Sequence, residues 1–302
     1  CSHIVEKLLT LGHNVKVLDN LSTGYKKNLE TVFSDIEFIE EDFRNLDAIR
    51  PAFKGVDFVF HQGALPSVPR SIDDPVTTND CNVVGTLNVL LAAWDAGVKR
   101  VMYAASSSAY GDQDVDVKVE TLLEKPLSPY ATSKLTGEHY CKNFYNVYGL
   151  ETVCLRYFNV FGERQDPTSQ YSGVIAKFVD TMVRGERPTI HGDGTQSRDF
   201  TYVSNNVDAN IHAAEASKEA CGETINIACG TNLNLNDLVK NINTILGASI
   251  EPIYDEPRKG DVKHSLAGIH KAQQLLGYEP AISVADGLAR YISWVQKNLN
   301  RS

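Results

Sequence analysis

Short runs of β-branched and apolar residues recur through the first half of the chain, at 14–19 (NVKVLD), 36–42 (IEFIEED), 56–64 (VDFVFHQGA), 99–107 (KRVMYAASS) and 151–160 (ETVCLRYFNV). Runs of this kind read as strands. Between them apolar residues fall at helical spacing. A helix over His3–Leu11 closes at Gly12, Asn45 caps a short one running toward Gly55, and Asp74–Ala96 is a long amphipathic pattern closing at Gly97. Ser128-Pro129 supplies an N-cap and a first-turn proline for a helix that reaches Tyr148 and stops at Gly149. Strands spaced by helices imply βαβ crossovers, so the expected class is α/β with a doubly wound parallel sheet.

After about residue 165 the rhythm changes. Helices are expected at 172–185, 204–217, 234–246, 268–276 and 283–298, set among short strands and Gly/Asp loops such as HGDGTQSRDF. This predicts a smaller, mixed α/β lobe over 166–302 beside a first domain over 1–165. The run ETINIA (223–228) is a candidate to return to the first sheet, taking 200–228 with it.

The chain has 302 residues, 42% hydrophobic and 22% charged, enough to bury a sizeable core without disulfide or metal staples. A net charge of −9 argues against a coat for nucleic acid or for an anionic membrane. Cysteines 1, 81, 141, 154, 221 and 229 form no CxxC pair and have no histidine at metal spacing, so neither a disulfide framework nor a metal site is expected. The most apolar stretch, Val83–Trp94, is short and broken by Gly85, Thr86 and Asn88, so it is not a membrane span. No secretory segment opens the sequence.

Ligands of open α/β sheets sit beyond the carboxyl ends of the strands, and here those ends are polar. Asp19 ends the first run, where a carboxylate can accept both ribose hydroxyls of an adenosine and would repel a 2′-phosphate; the alternative is an acid that merely starts a turn. The other half of that fingerprint, a strand and a glycine-rich turn at a helix N-terminus, is missing: the sequence opens at Cys1-Ser2-His3, inside what reads as the first helix.

Tyr130 and Lys134, in Tyr-Ala-Thr-Ser-Lys, stand one turn apart on one helical face. An ammonium about 4 Å from a phenol, at an effective dielectric of about 20, is worth about 4 kcal/mol, or about three pKa units. That would bring a base of pKa about 10 into the neutral range; the plainer reading is an exposed lysine beside a half-buried tyrosine. The preceding strand ends in the hydroxyl cluster Ser106-Ser107-Ser108, which either presents a hydroxyl to the same substrate oxygen or is a serine-rich turn. Base, cation, hydroxyl and ribose-binding acid together are what hydride transfer on a nicotinamide asks of a protein.

These residues, with HQGA (61–64), LPSVPRSIDDP (65–75), RYFNVFG (156–162), GERQDP (162–167) and GDVKHSL (260–266), resemble the extended short-chain dehydrogenase/reductases, and within them the UDP-N-acetylglucosamine 4-epimerases. The resemblance runs from residue 1 to about 298 and implies a Rossmann-type sheet, NAD as cofactor, a UDP-sugar as substrate and a cytoplasmic setting. It implies that Tyr130 is the base, Lys134 its partner and nicotinamide-ribose ligand, and Ser106, with Ser107 close by, the hydroxyl nearest the sugar O4. Asp19 and Asn20 would bind the adenosine ribose, Asp42 and Phe43 the adenine; Gln62, Gly63 and Ala64 would line the cofactor and Tyr157 would approach the nicotinamide. Ser67 would face the sugar, Asn159, Arg198 and Arg258 would meet the UDP ribose and diphosphate, and Gln165, Gly173 and Ser265 would make room for an acetamido group. Cys1 falls where the family's third pyrophosphate-binding glycine lies, and Pro66 where relatives carry a small residue beside the sugar. A homodimer through helices 74–96 and 129–148, paired as a four-helix bundle, is implied as well.

The expected reaction is inversion at C4 of UDP-GlcNAc and UDP-GalNAc through a 4-keto sugar. The alternatives are UDP-glucose 4-epimerisation, dehydration or decarboxylation of a nucleotide sugar on the same fold, and a truncated, catalytically silent binding partner. A dehydratase needs an added acid and base, commonly an Asp-Glu pair, where this chain has Ser107-Ser108.

Overall fold

The structure, a computed structural model, describes residues 1–167, 173–257 and 263–299. Helix α1 (Ser2–Thr10) leads into β1 (Val15–Leu18), a 3-10 segment over Lys26–Asp35, β2 (Ile36–Ile39), α2 (Leu46–Ile49) and β3 (Phe58–His61). Then come α3 (Val68–Asp73), α4 (Pro75–Asn79), a π turn over Asp80–Val84, α5 (Gly85–Asp95), β4 (Arg100–Ser106), α6 (Pro129–Asn143) and β5 (Glu151–Tyr157). The remainder is β6 (Val160–Phe161), α7 (Val174–Val183), β7 (Thr189–His191), β8 (Ser197–Arg198), β9 (Thr201–Tyr202), α8 (Val203–Glu215), β10 (Thr224–Ile227), β11 (Leu233–Asn234), α9 (Leu235–Leu246), β12 (Ile253–Asp255), β13 (His264–Ser265), α10 (His270–Leu276) and α11 (Val284–Leu299).

The central sheet is parallel, in the order β10-β5-β4-β3, and ETINIA enters it as β10, with Thr224 opposite Cys154 and Ile227 opposite Tyr157. β1 and β2 form a separate parallel pair. A cavity of about 1110 Å³ is lined by both sheets, by Val15, Val17 and Asp19 from β1 and its end and by Phe58, Phe60 and Gln62 from β3 and its end. The pleat sorts β4 between two cores. Val101, Tyr103 and Ala105 pack with α2, α5 and α6, whereas Met102 packs with Val153, Leu155, Ile225, Ala209 of α8 and Ala272 of α10. Helices therefore cover both faces, as doubly wound sheets require. A third core gathers Ile175, Phe178, Leu238, Ile242, Leu288 and Ile292 from α7, α9 and α11.

The expected caps at Asn45 and Ser128 form, accepting from the N–H groups of Ala48 and Ala131, and Pro129 opens α6; Asp74 also caps α4 through the Thr77 N–H. The 74–96 pattern is helical throughout, in three pieces with the π turn in the middle. Several strands are shorter than their apolar runs. The second ladder stops at Ile39, the third at His61, and the fifth breaks after Tyr157 because Asn159 adopts φ +32° before β6 resumes. The helix α3, capped by Ser67, and the 3-10 segment over 26–35 have no counterpart in the periodicity reading.

Candidate active site

β4 delivers Ser106 at its carboxyl end, and the neighbouring α6 presents Tyr130 half-buried beside it. The Ser106 hydroxyl is close enough to the Tyr130 phenol to pull its pKa down. Ser106 is itself fixed: its Oγ accepts the Ser108 N–H at 3.2 Å and shares a 2.8 Å bond with the Ser108 hydroxyl. Ser107 opens the 3-10 turn that follows. One turn along α6, Lys134 is buried, 4.9 Å above the Tyr103 ring, and donates to the Ala104 carbonyl at 2.7 Å.

That geometry corrects one expectation. Burial pushes the Tyr130 phenol above its ordinary value, and only the Ser106 hydroxyl pulls against it. Burial also lowers Lys134 to about 8. The ammonium is directed at the strand carbonyl, so desolvation outweighs charge–charge help in the chain by itself.

Below Lys134 on the same face, Glu138 receives Arg156 of β5 in a bidentate pair at 2.9 and 2.6 Å, and Arg156 also reaches Glu124 at 2.7 Å. Arg156 lies 4.6 Å from the Tyr110 ring, whose hydroxyl donates to Asn226 of β10. This buried network fastens the helix carrying Tyr130 to the sheet.

The cavity places Asp19, Asn20, Phe43, Gln62, Gly63 and Ala64 together on its wall. Asp19 Oδ1 accepts the Leu21 N–H at 2.8 Å, and a Cβ at Gly24 would sit 3.3 Å from Asp19 Oδ2. A Cβ at Gly63 would meet Phe43 Cε1 at 2.7 Å, so glycine there leaves the ring its place on the wall. An acid at a strand end beside a cavity of this size fits the adenosine end of a dinucleotide. Asp42 stands apart: it lines a separate depression with Arg44 and Asp80, and Arg44 together with Asn20 holds its carboxyl down to about 2. Its carboxylate is already engaged by Arg44 and Asn20.

Tyr157 belongs to a closed triangle. Its hydroxyl donates to Gln62 Oε1 at 3.1 Å and accepts from Asn210 Nδ2 at 2.7 Å, while Gln62 Nε2 donates to Asn210 Oδ1 at 3.0 Å. Asn210 was not visible to sequence reasoning, and neither was Asn82. Asn82 bonds both backbone groups of Leu65 and the Ser133 hydroxyl, tying the segment after Gly63 to α6. The available signal was an asparagine on the buried face of a helix, where only a partner justifies it.

At the other end, β8 and β13 run parallel with Ser265 opposite Arg198. Asn159 Nδ2 donates to the Asp199 carbonyl at 3.0 Å, so Asn159, Arg198 and Ser265 share one neighbourhood. Gln165 lies beside Gly173, its Nε2 3.5 Å from where a Cβ would stand, and its Oε1 is buried with no partner among the described residues. Ser67, at φ +115°, accepts the Arg70 N–H as the cap of α3. Arg258 lies outside the described residues. Among the described residues no cluster could hold a metal ion, and no helix is long and apolar enough to cross a membrane.

Known proteins share this fold. The chain superposes with TM-score 0.94 on UDP-glucose 4-epimerase from Thermotoga maritima, solved with UDP-glucose, at 37% identity over 99% of this chain and 96% of that one. It matches UDP-N-acetylglucosamine 4-epimerase from Methanobrevibacter ruminantium, solved with UDP-N-acetylmuramic acid, equally well: TM-score 0.94 and 37% identity over 98% and 94%. UDP-glucose 4-epimerase from Thermus thermophilus, solved with NAD, gives TM-score 0.89 and 32% identity over 98% and 95%. The profile that matches residues 1–228 carries the same chemistry in its description, and the chain belongs to the NAD dependent epimerase/dehydratase family.

Proposed function

We propose that the protein epimerises UDP-N-acetylglucosamine and UDP-N-acetylgalactosamine at C4. The observation that carries this reading is the Tyr130 phenol beside the Ser106 hydroxyl, with Lys134 one turn away on α6. A sugar C4 hydroxyl placed between phenol and serine would meet a proton acceptor and an orienting hydroxyl at once. When bound, NAD supplies a hydride acceptor for C4 and a positive charge that favours the phenolate. Tyr130 takes the O4 proton and later returns it; Ser106 orients O4, with Ser107 beside it; Lys134 keeps its ammonium under the phenol's end of the site.

Asp19, Asn20, Phe43, Gln62, Gly63 and Ala64 would hold the cofactor, with Tyr157 braced by Asn210 and Gln62 at its nicotinamide end. Asn159, Arg198 and Arg258 would hold the UDP diphosphate and ribose, since guanidinium forks match such anions. Gln165 beside Gly173, and Ser265 on β13, support the N-acetylated choice. Gln165 Oε1, buried with no partner among the described residues, is an acceptor suited to an acetamido N–H. In this reading residues 1–165 with the returning strand form the cofactor part and 166–302 the sugar lobe. The six free cysteines suit a reducing compartment such as the cytoplasm. Dehydration is disfavoured because no acid follows Ser106 in its turn.

Proton NMR of the anomeric signals tests the substrate. Purified protein with NAD is expected to convert UDP-GlcNAc to a mixture with UDP-GalNAc. Turnover of UDP-glucose alone would refute the N-acetyl preference, and a 4-keto-6-deoxy product would replace epimerisation with dehydration.

A further inference from the structure

Asp199 is fully buried in the loop between β8 and β9, yet no cation approaches its carboxylate among the described residues. Its donors are main-chain N–H groups from two distant segments. Cys229 donates to Oδ1 at 3.0 Å, Gly230 to Oδ2 at 3.0 Å and Ala267 to Oδ2 at 3.3 Å. The backbone of Asp199 continues the clamp: its N–H donates to the Ser265 carbonyl at 2.7 Å and its carbonyl accepts Asn159 Nδ2.

From its place directly after Arg198, one side chain thus ties together the turn after β10 and Ala267, two residues past Ser265 of β13. A buried carboxylate is costly unless hydrogen-bonded. Burial accordingly holds its pKa up at about 7, and the backbone donors oppose that rise. A group kept at this expense, outside the proton chemistry at Tyr130, needs a task that an apolar residue could not perform.

We infer that Asp199 is the positioning residue of the nucleotide end of the site: its carboxylate, gathering the N–H groups of Cys229, Gly230 and Ala267, fixes the backbone that bonds Ser265 and Asn159 and carries the adjacent Arg198. The inference rests on the proposed reading that Ser265, Asn159 and Arg198 meet the UDP moiety. It assigns Asp199 no contact with substrate. Asn fits the same space but has one accepting oxygen, and its NH2 would face N–H groups that need an acceptor.

The test compares wild type with D199N by calorimetric titration with UDP, by steady-state kinetics, and by hydrogen exchange in the ligand-free protein. Expected are an about 10-fold or greater loss of UDP affinity with a matching rise in KM, kcat within about 3-fold, unchanged NAD affinity, and lost protection of the amides of Cys229, Gly230 and Ala267. Unchanged NAD affinity guards against general unfolding. Equal UDP affinity in the two proteins overturns the inference, as does a fall in kcat at constant KM. Failure of the wild type itself to bind UDP would instead overturn the reading of this end of the site, and the inference with it.

Discussion

Lys134 shows how burial changes a residue's part. Its ammonium, at 4% exposure, donates to Ala104 and titrates near 8 rather than in the ordinary lysine range. Between about pH 8 and about 10.5 the unfolded chain binds a proton that the folded chain has released, so stability rises with pH through that window. Below it the whole cost of a buried cation is present. Lys134→Met removes this term, and urea unfolding at pH 7.5 and 9.5 should show the wild type gaining on the variant by about 2 kcal/mol at the higher pH. Parallel curves would contradict the assigned burial. The identities of Tyr130, Lys134 and Ser106 were legible because their chemistry is carried by local spacing. The sign of the Tyr130 shift was not, since it depends on how β4 and α6 desolvate the pair. Asp199 and Asn210 were illegible for a related reason: their partners lie far off in sequence, and those of Asp199 are backbone groups of any residue type.

At the scale of elements, α6 is held by its cap at Ser128 and by the Glu138–Arg156 pair against β5. Both charges are nearly inaccessible, at 4% and 1% exposure, so removing Glu138 leaves the buried Arg156 to the partly exposed Glu124. Glu138→Ala is expected to cost about 3–5 kcal/mol in denaturant unfolding and to lower kcat by loosening the helix that carries Tyr130. A loss under about 1 kcal/mol would show that the pair does not fasten the helix. Ser128→Ala should cost about 1 kcal/mol, the worth of an N-cap. Helices with caps, proline starts and glycine stops were legible because those signals are local. The two-residue strands β6, β8, β9, β11 and β13 were not, because pairs so short have no periodicity and are defined only by their partners.

At the scale of the molecule, the parallel sheet followed from the alternation of patterns, and the run 223–228, a candidate to return to it, does so as β10. The exposed apolar residues Val84, Trp94, Val147 and Tyr148 lie on the two helical segments proposed to pair in a homodimer, and Trp94 packs edge-on to Tyr148 at 5.3 Å. Sedimentation equilibrium should return twice the 33.3 kDa chain mass, and Val84→Asp with Val147→Asp should shift it to the monomer. A monomer at tens of micromolar wild-type protein would remove the proposed bundle.

The account turns on one phenol. Tyr130→Phe keeps the ring and removes the proton acceptor, so the direct measurement is the rate of C4 inversion by this variant beside its affinity for UDP. The prediction is a loss of about 1000-fold or more in kcat with UDP affinity unchanged. Inversion surviving within a few fold of wild type would contradict it.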